Sequence, residues 1–131
     1  MCKKVLIADD KAIMREKVKS ALTSILDGHK FLETANGREA IDLAAHTNPD
    51  LIILDLSMPE MDGITAAKFL KQSMPNTPVI LFTVHNLGEA PAREYGVDAI
   101  VSKSNGLGKL RKVVQSFLFP REKATVAYST K

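Results

Sequence analysis

Leu51-Ile52-Ile53-Leu54-Asp55-Leu56-Ser57-Met58-Pro59-Glu60-Met61-Asp62-Gly63 carries the reading of the fold. Its first four residues are apolar without interruption. A strand covered by helices on both faces reads this way, because both sets of alternate side chains are buried. A single Asp closes that strand. After a short loop, Asp62-Gly63 precedes Ile64, Ala67 and Leu70, which are spaced as one face of a helix.

The same alternation extends outward. Val5-Leu6-Ile7-Ala8, Val79-Ile80-Leu81-Phe82 and Ala99-Ile100-Val101 are further short apolar runs, and Phe31-Leu32 is a weaker one suited to a sheet edge. Helical spacing fills the gaps. Met14, Val18, Ala21, Leu22 and Ile25 recur at three to four residues, as do Leu107, Leu110, Val113, Val114 and Phe117. Ala40, Ile41 and Ala44 form a face after Asn36-Gly37. Asn48-Pro49-Asp50 and Pro75-Asn76-Thr77-Pro78 are stops placed just before strands. Five alternations of strand and helix predict a parallel sheet with right-handed crossovers. The segment from Thr83 to Gly96 holds Gly88 and Pro91, so its helix is expected to be short or irregular. Pro120 should end the last helix. That divides the chain into a domain at 1–118 and a C-terminal tail or linker stump at 119–131.

Length and composition set the outer limits. A chain of 131 residues, 45% apolar and 25% charged, fits one globular domain. No apolar run approaches the ~20 residues of a membrane span. The N-terminus lacks a signal-peptide pattern, and a lone Cys2 cannot form an internal disulfide. The expected compartment is therefore the cytoplasm. A net charge of +3 is only mildly basic, and Lys103 to Lys112 is its one local cluster. Without Trp, and with 5% aromatics, a stacking platform for single strands is not expected.

In an open parallel sheet, ligands bind outside the carboxyl ends of the strands. The first strand runs into Asp9-Asp10, the third into Asp55, the fourth into Thr83 and the fifth into Ser102-Lys103. Three carboxylates, a hydroxyl and an ammonium thus converge on one rim. Close carboxylates repel unless a cation compensates. Oxygen-only ligands suit Mg²⁺, which also pairs with phosphate oxygens. The set looks like a phosphoryl-transfer site: a carboxylate nucleophile, a metal and a positive clamp. Taken singly, each residue has an ordinary reading. Asp9-Asp10 suits a helix N-terminus, and Asp10 can do both jobs. Thr83 is a strand-end Thr and Lys103 a solvated lysine. Their shared rim favours chemistry instead. His29, His46 and His85 share no metal-ligand spacing.

These residues resemble the response-regulator receiver domain of two-component signalling. The resemblance rests on Asp9-Asp10, the stretch Asp55 to Gly63, Thr83 and Ser102-Lys103, and covers about Lys3 to Leu118. It implies a flavodoxin-like, doubly wound three-layer α/β fold with parallel strand order 2-1-3-4-5. Asp55 would accept a phosphoryl group from a histidine kinase or histidine phosphotransfer protein. Mg²⁺ would be held by Asp9, Asp10, Asp55 and the backbone carbonyl of Ser57. Lys103 would contact the phosphoryl oxygens, Thr83 would be the switch hydroxyl, and Pro59 and Gly63 would shape the loop. Downstream it implies a partner protein or a lost output domain, and it allows a phosphorylation-dependent homodimer. It implies no direct nucleic-acid or membrane binding, and no turnover beyond the domain's own phosphorylation and slow dephosphorylation.

Three positions depart from the family pattern. Ile100 stands where a Tyr or Phe usually follows the switch hydroxyl, so aromatic switching cannot operate as such. Ser104 stands where a Pro in a cis peptide often follows the lysine, and a cis bond there would cost ~3 kcal/mol. The Thr83–Gly96 segment is about half a helical turn short. Two other classes compete. A small aspartate-nucleophile phosphatase typically carries a second Asp two residues after the nucleophile, where this chain has Ser57. A receiver-like interaction module working without phosphorylation fits Ile100 but not the complete acidic set.

Overall fold

The structure is a computed structural model and describes residues 3–26, 30–85 and 92–120. Strands β1 (Lys4–Ala8), β2 (Lys30–Thr34), β3 (Leu51–Leu54), β4 (Val79–Thr83) and β5 (Ala99–Ser102) form one parallel sheet in the order β2-β1-β3-β4-β5. This is the flavodoxin-like order implied by the resemblance. Helices α1 (Ala12–Thr23), α2 (Gly37–Thr47), α3 (Gly63–Ser73) and α4 (Leu107–Leu118) cover its faces.

The uninterrupted apolar runs are explained by two cores. Val5, Ile7, Ile53 and Phe82 point to one face, where Val18, Leu22, Leu110 and Val114 of α1 and α4 meet them. Leu6, Ala8, Ile52 and Leu54 point to the other, against Ala40, Ala44, Ala66, Ala67 and Leu70 of α2 and α3. Successive strand residues face opposite layers, so both must be apolar. The sparse Phe31-Leu32 run belongs to β2, an edge strand, and both residues are only half-buried.

Local chemistry sets the helix ends. Asn36 Oδ1 accepts from the Glu39 N–H at 2.8 Å and starts α2; Asp62 Oδ1 accepts from the Thr65 N–H at 2.8 Å and starts α3. Asn48, at φ +49°, closes α2 before Pro49. Asp10 does not cap α1. The helix is preceded by Lys11, whose N–H bonds to Asp9 Oδ1 at 2.9 Å in an Asx turn. α4 ends at Leu118, two residues before Pro120.

Between β4 and β5 the described residues contain one 3-10 turn, Ala92–Tyr95, in keeping with a short or irregular element; Gly88 and Pro91 lie outside the described residues. A second 3-10 turn, Lys103–Asn105, follows β5. The described peptide bonds are all trans, including Lys103–Ser104. Ser104 uses the N–H that a proline would lack, donating it to Ser102 Oγ at 3.2 Å. Residues 121–131 of the expected tail lie outside the described residues.

Candidate functional site

All strands are parallel, so their carboxyl ends share one rim of the sheet, and the chain delivers polar residues there. Asp55 follows β3 with its N–H bonded to the Ala8 carbonyl at 2.9 Å, which holds it beside Asp9. Asp9, Asp55 and Thr83 are buried, and Asp10 is exposed. One carboxylate oxygen from each of Asp9, Asp10 and Asp55 lies within 4.8 Å of the others.

Lys103 reaches this cluster from the end of β5. Its Nζ is 2.9 Å from Asp9 Oδ2 and 3.4 Å from Asp55 Oδ1. Its side chain is only 7% exposed, so water screens these pairs little. The ammonium also lies 5.7 Å from the centre of the Phe82 ring. Asp55 holds its proton above the usual carboxylate range. Burial is the largest cause, Lys103 pulls the value back down, and the charge of Asp9 pushes it up.

The loop after Asp55 is held by close backbone approaches. The Gly63 N–H bonds to the Leu56 carbonyl at 2.8 Å, and a side chain at Gly63 would overlap the Asp55 carbonyl oxygen. Gly37 meets the Met61 carbonyl in the same way. Two glycines therefore clamp the loop between Asp55 and α2. Beside the acidic cluster it leaves an open groove lined by Asp10, Ser57, Pro59, Asp62 and Thr65, among others.

The structure thus gathers Asp9, Asp10, Asp55, Thr83 and Lys103 at one rim, with Ser57 in the loop two residues beyond Asp55. Thr83 Oγ1 accepts from the His85 N–H at 3.0 Å. A hydroxyl accepting one bond still carries a proton to donate. The Ser57 hydroxyl lies 2.7 Å from His85 Nε2. His46 stays apart on α2, with Nδ1 2.7 Å from the Asp42 carbonyl; His29 lies outside the described residues. Ile100 pairs with Leu81 and is half-buried against the α2–α3 side of the sheet.

Sequence reasoning missed Arg15 and Glu33. Arg15 Nη1 donates to the Asp9 carbonyl at 2.6 Å, and its Nε donates to Glu33 Oε1 at 3.0 Å. Lys19 takes the other oxygen of Glu33 at 2.8 Å. The available signal was the spacing of Arg15 and Lys19, four residues apart on α1.

The family model for the response regulator receiver domain matches residues 5–115. A protein-glutamate methylesterase/protein-glutamine glutaminase of Archaeoglobus fulgidus is 37% identical over 135 residues, covering 97% of this chain and 36% of that protein. The uncharacterized transcriptional regulatory protein YhcZ of Bacillus subtilis is 37% identical over 114 residues, covering 86% of this chain and 53% of its own. The chain therefore spans about a third to a half of the length of these curated relatives. Among solved structures, the response regulator TrrA of Thermotoga maritima, in complex with Mg²⁺–BeF, has a TM-score of 0.78 at 28% identity, covering 88% of this chain and 98% of that one. The REC domain of AraT, a response regulator from Geobacillus stearothermophilus, has a TM-score of 0.79 at 32% identity, covering 95% and 99%.

Proposed function

The chain belongs to the response regulator receiver domain family, and on that basis we propose that Asp55 is its phosphoacceptor in phosphorylation-dependent signalling. One observation carries the reading: a buried Asp55 shares a 4.8 Å cluster with the carboxylates of Asp9 and Asp10, with Lys103 Nζ 3.4 Å away. A carboxylate at the end of a buried strand is a fixed nucleophile, and the surrounding charges suit a phosphoryl group.

The donor is a histidine kinase or histidine phosphotransfer protein. A carboxylate oxygen of Asp55 attacks the phosphorus of phosphohistidine. The P–N bond breaks, its electron pair stays on the imidazole nitrogen, and that nitrogen takes up a proton. The product is an acyl phosphate on Asp55.

The donor set is all oxygen and anionic, which fits Mg²⁺. Asp9, Asp10, Asp55 and the Ser57 carbonyl would hold it. Bound Mg²⁺ supplies positive charge against the phosphoryl oxygens. Lys103 neutralises the buried carboxylates before transfer. Once Asp55 is phosphorylated, its carboxylate charge is gone and the new charge sits on the phosphoryl oxygens, so Lys103 turns to them. The Thr83 hydroxyl donates to another. The ends of β4 and β5 respond, and the surface beside them changes for a downstream partner or output domain.

Incubation with acetyl phosphate and Mg²⁺ tests this. Wild type should be labelled at Asp55, and Asp55→Asn should take up no label. Full labelling of that variant would reject the assignment, and an unlabelled wild type would favour an interaction module working without phosphate. Multiple turnover on a generic phosphoester would identify a phosphatase instead.

A further inference from the structure

Asp9 is fixed at four points. Its N–H bonds to the Thr34 carbonyl at 3.1 Å, its Oδ1 accepts from the Lys11 N–H at 2.9 Å, and its Oδ2 accepts from Lys103 at 2.9 Å. The fourth point is the carbonyl oxygen, which takes the 2.6 Å bond from Arg15. That carbonyl belongs to the peptide plane joining Asp9 to Asp10. Asp10 is exposed, with Lys11 Nζ 3.5 Å from its Oδ1. A pair that long and exposed holds a side chain weakly. The direction of the Asp10 carboxylate therefore depends on the backbone that carries it.

Arg15 is itself anchored. Glu33 lies on β2 opposite Ile7 of β1, and receives Arg15 on one oxygen and Lys19 on the other. Lys19 also pairs with Glu16 at 2.7 Å. The planar fork of a guanidinium reaches Glu33 and the Asp9 carbonyl together, whereas a lysine offers one compact head.

We propose that Arg15 is a positioning residue for the cation site, its guanidinium anchored on Glu33 and fixing the Asp9–Asp10 peptide plane so that both carboxylates face one ion. The inference rests on the reading that the acidic cluster holds Mg²⁺. The carbonyl contact makes this more than a surface ion pair, because it ends on the backbone of the site. Outer residues that orient metal ligands typically change affinity about 10–100-fold when replaced.

Geometry and charge predict opposite results, which makes the proposal testable. Arg15 brings a positive charge to the backbone of Asp9, one member of the acidic cluster. If it acted through charge alone, Arg15→Gln would tighten cation binding and Arg15→Lys would leave it unchanged. If it acts by position, both variants weaken binding.

The experiment is calorimetric titration of Mg²⁺ into the metal-free chain, with circular dichroism confirming that each protein is folded. We expect Arg15→Gln and Arg15→Lys each to bind about tenfold more weakly. Lys71→Gln, which breaks the Lys71–Asp98 pair at the opposite end of the sheet, should bind like wild type. Wild-type affinity in Arg15→Lys would overturn the proposal, and that variant decides alone if Arg15→Gln fails to fold. Equal weakening in Lys71→Gln would overturn it too, by exposing a general effect of instability. A wild type that binds no Mg²⁺ would reject the underlying site reading along with it.

Discussion

Ser57 Oγ and His85 Nε2 lie 2.7 Å apart, which ties the loop after β3 to the residue two beyond Thr83. The His85 N–H also bonds to Thr83 Oγ1 at 3.0 Å. One residue therefore contacts the hydroxyls of both Ser57 and Thr83. Water attacking a phosphoryl group on Asp55 would approach past this pair.

His85 should shield that group. In a phosphorylated preparation passed into phosphate-free buffer, His85→Ala should lose its phosphoryl group several-fold faster than wild type. A longer lifetime in the variant would assign His85 to helping the water instead.

Mg²⁺ should raise the melting temperature, because an ion bound only by the folded state stabilises it by mass action. Asp10 is the exposed member of the cluster, so Asp10→Ala should fold normally and lose most of that rise. A full Mg²⁺ response in the variant would place the ion elsewhere.

Lys103 is the cation between two buried carboxylates, 2.9 Å from Asp9 and 3.4 Å from Asp55. Removing one partner of a buried ion pair leaves charge uncompensated, at a cost of ~3 kcal/mol. Lys103→Met should lose about that much in metal-free urea unfolding, and regain part of it with Mg²⁺. A variant as stable as wild type without metal would show that water already compensates the carboxylates.

Glu33 is held below its ordinary 4.5, first by the hydrogen bond from Lys19, with burial opposing and Arg15 assisting. Its folded value is lower than its unfolded one. The resulting stability is complete above 4.5 and is lost as pH falls through the folded value. Urea midpoints of wild type and Glu33→Gln should therefore differ at neutral pH and converge in acid. A gap that stays constant with pH would mean that the carboxylate charge contributes nothing there.

Much of this site was legible along the chain. The runs Val5 to Ala8, Leu51 to Leu54 and Val79 to Phe82 read as strands because both faces of a central parallel strand are covered. The order of Asp9-Asp10, Asp55, Thr83 and Lys103 followed, since each is the first polar residue, or nearly so, after such a run. Asp62 and Asn36 were placed as helix starts by short-range chemistry. The ordinary reading of Asp10 as a helix cap does not hold, because α1 begins at Ala12 with Lys11 in the cap position, and the Lys11 N–H bonds to the Asp9 carboxylate.

Other relationships required the folded chain. The Ser57–His85 bond spans 28 residues, and Lys103 reaches Asp9 across 94. The Arg15–Glu33 brace exists because β2 pairs with β1 in the register that sets Glu33 opposite Ile7. Burial periodicity tells which face a residue takes and where a strand stops. It carries no information on which exposed charge on a helix meets which residue of a neighbouring strand, because that depends on strand register and helix docking, and those are set by the packing of the whole core.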